Sequence, residues 1–181
     1  IFFKENLVGG SIFMAGLAST IFFLVKGVIQ LPFSKYVDSH NYKTRLRWLI
    51  VGTFIISIVP FIYIFSSHIY HIFIAQIIYG IGSGLAYPTW LGLWATHLDK
   101  KKESFEWSLY STLTGFSTAA TAAIGAGLIQ LIGFNGTFLL VGIISLTGCI
   151  TLFVLARQTH QDGLFKIDYS LIRPKRINHR K

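Results

Sequence analysis

Apolar positions in this chain do not alternate with polar ones. They come in long runs, at about residues 7–33, 47–66, 70–97, 106–132 and 134–156. Each is long enough to cross a bilayer, which takes ~20 helical residues. Membrane strands need only ~9–11 residues and show alternating polarity, so length decides for helices. The breaks between runs are charged or turn-like: 34–47, Ser66-Ser-His-Ile-Tyr70, His97–Glu103 and Ile132-Gly-Phe-Asn-Gly136. The pattern predicts an all-α polytopic membrane protein with five visible transmembrane helices over residues 1–157. A basic tail over 158–181 follows, expected to be solvated and to touch anionic lipid.

Composition agrees with this. Hydrophobic residues make up 52% of the 181 positions and charged residues only 13%, against ~25% in ordinary soluble domains. The formal charge of +9 does not point to nucleic acid, because the bases cluster at the ends of apolar runs rather than along a face or stripe. Fourteen of the sixteen bases fall in the 34–47 segment, the 98–106 segment or the tail from Arg157. The two exceptions are Lys4 and Lys26. If each run crosses once, basic and base-free connections alternate strictly. By the positive-inside rule the chain then starts outside and ends with a cytoplasmic C-terminus in a cell (inner) membrane. The sequence begins at Ile1 rather than Met, and one missing helix upstream would bring the count to six. Cys149 stands alone in an apolar run, so neither a disulfide framework nor a metal cluster is expected.

Polar residues inside the runs mark the candidate site. Lys26 is the one ionisable residue deep in a run, and a charge there costs at least ~2.5–3.5 kcal/mol. With the first helix ending near residue 33, Lys26 lies about eight residues, or ~12 Å, from the inner end. Partial snorkelling to that surface competes with a cavity role. Ser19, Lys26 and Gln30 share one helical face, which favours a polar stripe with Lys26 helping to bind an anionic group. In the third run Gln76, Tyr79, Ser83, Tyr87, Trp90 and Trp94 recur at steps of three and four, one continuous face. Lys26, Gln30, Gln76, Tyr79, Ser83, Tyr87 and Trp90 are the expected substrate-binding residues. Gly80 and Gly84 form a small-residue step suited to close helix packing. Gly125, with Ser111, Thr114, Thr118 and Thr121, forms a second small face expected to pack. Glu103 and Glu106 sit where the positive end of the fourth helix's dipole stabilises acids. No histidine stands mid-membrane beside an acid or a serine. Gly82-Ser83-Gly84 lacks a histidine partner at depth, and no glycine-rich loop follows a strand. Neither catalysis, a metal nor a cofactor is expected.

One segment carries the family signal. Gln30–Arg47 holds Asp38, then Lys43, Arg45 and Arg47, directly after what would be a second helix. The acid-plus-bases loop resembles the Gly-x-x-x-Asp-(Arg/Lys)-x-Gly-(Arg/Lys)-(Arg/Lys) signature of the major facilitator superfamily, with Ser34 and Asn41 in the glycine positions. Gln76-Ile-Ile-Tyr-Gly80-Ile-Gly82 with Pro88 beyond it is similar to that family's fourth helix, with Gln76 in place of an arginine. Gly125-Ala-Gly127 before Gly133-Phe134 and Phe138 is similar to its fifth, with Ala122 near the antiporter proline's place. The resemblance implies one six-helix half of a secondary transporter, lacking its first helix here. Such a half moves a small-molecule solute across the lipid bilayer by alternating access, together with a second six-helix half or as a homodimer. It also implies that Asp38, Lys43 and Arg45 form a gating loop, with Asp38 reaching the helix end at Glu103 and Glu106. The competing reading is a non-transporting membrane scaffold, in which the same stripes bind a partner.

Overall fold

The computed structural model describes Phe2 and residues 7–161, with side chains described through residue 158. Four long helices follow in order: α1, Ile12–Asp38; α2, Tyr42–Ile64; α3, Ile69–Ala95; and α4, Glu103–Gln161. All four are long and apolar enough to cross a membrane.

The first run starts later and ends later than its hydropathy suggests. Gly9 adopts φ +79°, and Val8 pairs with the backbone of Ser67 and Ile69 at 3.0 and 3.2 Å. Ser11 then caps α1, its Oγ accepting from the Met14 amide at 3.2 Å. At the other end the helix runs through Pro32 and Lys35 to Asp38. Charge does not break a helix, and a lysine in the last turn suits the dipole. α2 likewise begins at Tyr42, where Asn41 caps it by accepting from the Thr44 amide at 3.1 Å. The charged 34–47 segment is therefore mostly two helix ends joined by residues 39–41.

α4 contains the two final runs, joined at Gly133 with φ 71° and ψ 177°. Contacts show the chain doubling back there. Tyr110 lies against Trp94 near the end of α3. Phe138 lies against Tyr63 near the end of α2. Cys149 reaches the carbonyl of Ile50, thirteen residues or ~20 Å back along α2 from Tyr63. A straight helix would carry Cys149 away from Ile50; instead the limb after Gly133 runs antiparallel to α2.

α3 is the centre of the bundle and packs on two neighbours through small residues. A Cβ on Gly80 would stand 2.9 Å from Val25 Cβ, and one on Gly84 2.9 Å from Ile29. These positions seat α3 on α1. Gly82 and Ala86 instead meet Gly52 of α2, whose added Cβ would lie 2.7 Å from the Ala86 amide nitrogen and 2.7 Å from the Gly82 carbonyl. Backbone touches backbone there, the closest approach that small residues allow. The second limb of α4 is fastened to α2 by Gly142 against Phe61 and by a Ser57–Ser145 hydrogen bond of 2.8 Å. Most of residues 103–132, by contrast, are exposed on every side.

The basic segments gather at one end. Asp38 and Arg45 lie beside Gly92 of α3, and residues 96–102 leave α3 at that same end. The opposite end holds the Val8–Ser67 pairing and the Gly133 turn.

Candidate functional site

Longer than expected, α1 changes the position of Lys26. It now stands twelve residues before Asp38 and fourteen after Ile12, ~18 Å and ~21 Å from the two helix ends. That is the middle of α1, which is long enough to cross a ~30 Å hydrocarbon core. The Lys26 ammonium rests on an aromatic face: Nζ lies 4.2 Å from the Tyr87 ring centroid and 5.9 Å from that of Phe22. Tyr87 is 42% exposed, and a cation over such a ring gains ~0.5–1 kcal/mol.

Around Lys26 the helices line an open cavity of about 430 Å³. α1 contributes Phe22 and Lys26, and α3 contributes Tyr79, Ser83, Ala86, Tyr87 and Trp90. α2 adds Leu49, Thr53 and Ile56, and the second limb of α4 adds Leu152. Five of the seven substrate-binding candidates thus meet around one space. Phe22 stacks on Tyr79 at 4.6 Å. Trp90 Nε1 donates to the Tyr110 hydroxyl at 3.1 Å. Gln76 and Gln30 are not part of the cavity wall. Gln76 turns to α2 and donates to the Tyr63 hydroxyl at 2.7 Å. Thr53 was missed from sequence, although Thr53 and Ser57, four apart in an apolar run, form a short polar stripe. Leu152 carries no signal of its own.

A second recess of about 770 Å³ runs along the first limb of α4, lined by Trp94, Tyr110, Leu113, Thr114, Ser117, Thr118 and Thr121 among others. The threonines of the small face turn their hydroxyls inward: Thr114, Thr118 and Thr121 donate to carbonyls four residues earlier at 2.7–2.8 Å. A Cβ on Gly125 would meet nothing within 4 Å. Among the described residues this face has no helix against it. Gly80 and Gly84, as described above, do pack.

At the charged end Arg45 ties the α1–α2 turn together. It donates to the carbonyls of Asp38 and His40 at 3.0 and 3.1 Å and stands 4.0 Å from the Asp38 carboxylate. Lys43 sits in the first turn of α2, exposed. Glu106 accepts from the Asp99 amide at 3.2 Å, so it closes its own loop rather than meeting Asp38.

Long apolar helices packed through glycines, with a lysine and aromatic rings around a cavity between them, define a multi-pass α-helical membrane protein. The family model of the Major Facilitator Superfamily matches residues 4–171, and the chain belongs to that superfamily of membrane transporters. No curated protein and no solved structure gives a significant match.

Proposed function

We propose that the chain is one half of a facilitator-type secondary transporter and that the Lys26–Tyr87 cavity is its solute site. The carrying observation is convergence: Lys26, the ionisable residue deep in the first run, and Tyr79, Ser83, Tyr87 and Trp90 of the α3 stripe border one space. The two limbs of α4 cross separately in this reading, giving five spans with the basic ends and the C-terminus cytoplasmic. The cavity is an open recess in this chain, so a second six-helix half or a second copy completes the enclosure. Rocking of the two halves then exposes the site to each face in turn. Asp38, Lys43 and Arg45 form the gate at the basic end, where the Arg45 bonds keep the α1–α2 turn rigid while it moves.

Cysteine accessibility tests this. In a Cys149→Ser background, Ser83→Cys in proteoliposomes is expected to react with charged thiol reagents from either face, and solute should slow the reaction. A cysteine at position 83 that reacts from neither face would overturn the reading.

A further inference from the structure

Resting on the solute-site reading, we infer that the solute is an organic monoanion, a carboxylate with a compact apolar or aromatic body. Three observations carry this.

The first is an uncompensated cation. Lys26 lies mid-helix, and the four acids among the described residues, Asp38, Asp99, Glu103 and Glu106, all sit at or beyond helix ends. Among the described residues no carboxylate forms an ion pair with it, and its ammonium leans on the Tyr87 ring. A ring face is a weaker partner than an anion. A solute carboxylate entering the cavity would give Lys26 a full counter-charge where opposite charges attract most strongly.

The second is an unused hydroxyl. Ser83 is 8% exposed and borders the cavity. The neighbouring hydroxyls donate back along their helices, Thr53 to Leu49 and Thr89 to Leu85, each at 2.8 Å. Ser83 makes no such bond among the described residues. The hydroxyl is therefore left to face the cavity, where a solute oxygen can accept from it.

The third is the count of cations. Lys26 is a single point charge without a guanidinium fork. The remaining described bases lie at the bundle ends. A phosphate dianion calls for more. Apart from Ser83 and Thr53, the rest of the wall is aromatic or aliphatic, and 430 Å³ falls in the lower part of the ~300–1,000 Å³ range of small-molecule sites.

Binding to the full chain in nanodiscs tests the assignment, with benzoate, benzamide and benzylammonium as probes and tryptophan fluorescence as readout. Benzoate is expected to bind most tightly. Lys26→Gln should reduce benzoate affinity roughly tenfold or more while sparing benzamide, so that the acid-to-amide ratio collapses. Lys26→Arg should restore part of that ratio, and Ser83→Ala should cost benzoate roughly two- to tenfold. Melting curves of each variant separate lost binding from lost fold. Equal or tighter binding of benzamide or benzylammonium, or an acid-to-amide ratio unmoved by Lys26→Gln, would overturn the anion assignment and leave the transport reading standing. If no probe binds and the cysteine at position 83 is also unreactive from both faces, both fall together.

Discussion

α3 and the first limb of α4 are built from similar material and end in opposite situations. Both are rich in glycine, alanine and hydroxyl residues, and both carry a Gly-containing face at helical spacing. In α3 that face is sealed: Gly80, Gly82 and Gly84 press on two helices, and eight residues are buried. In residues 103–132 the same kind of face lies open, and its hydroxyls bond back to their own helix. Small residues permit close approach without specifying a neighbour. What seals α3 is complementarity on the other side: Gly52 opposite Gly82, and Val25 and Ile29 opposite Gly80 and Gly84.

The largest break in this contrast should come from Gly52→Val. Its added carbons meet main-chain atoms at 2.7 Å, which cannot swing aside. We expect a loss of at least ~1–3 kcal/mol, read as a lowered melting temperature in detergent, with α2 and α3 forced apart. Gly133→Ala comes next. Its φ of 71° with ψ of 177° lies in a region open essentially to glycine alone, so a cost of ~1–3 kcal/mol is expected. That cost should appear even though nothing lies within 4 Å of the new methyl, which separates backbone strain from crowding. Ser57→Ala and Ser145→Ala should each cost about 0.6 kcal/mol. The double variant should cost little more than either one, a non-additivity measurable by a double-mutant cycle. At the small end, Gly125→Ala on the open limb should change the melting temperature of the isolated chain by less than the equivalent of ~0.5 kcal/mol. If Gly125→Ala is instead as damaging as Gly52→Val, the limb is packed in solution and the contrast fails.

Much of the fold was legible in the sequence because a bilayer imposes a length on every apolar run. Helical identity followed from that constraint, and the grouping of basic connections from where the bases fall between the runs. The helix ends did not. Lys35, Asp38, Lys43 and Arg45 look like loop residues to a hydropathy reading, yet charged side chains are compatible with terminal helical turns. This matters for Lys26, which a run ending near residue 33 sets about eight residues from the helix end and which α1 sets twelve from it. The cavity wall on α3 was legible through its three–four spacing, whereas Gln76 shares that spacing and still turns away, because Tyr63 offers its amide a partner on α2. Contacts such as Gly52 with Gly82, or Leu152 with the cavity, depend on which helices become neighbours. Periodicity within a single run carries no information about that.

The reversal at Gly133 takes place in one residue, with no intervening polar loop. That end of the molecule therefore offers no protruding handle between the two limbs of α4. A protease site, glycan acceptor or epitope spliced in there would have to unwind helix on one side or the other to become visible. Reporters of sidedness belong in the longer connection at 96–102, and silence from a tag at 133 would say nothing about which face it occupies.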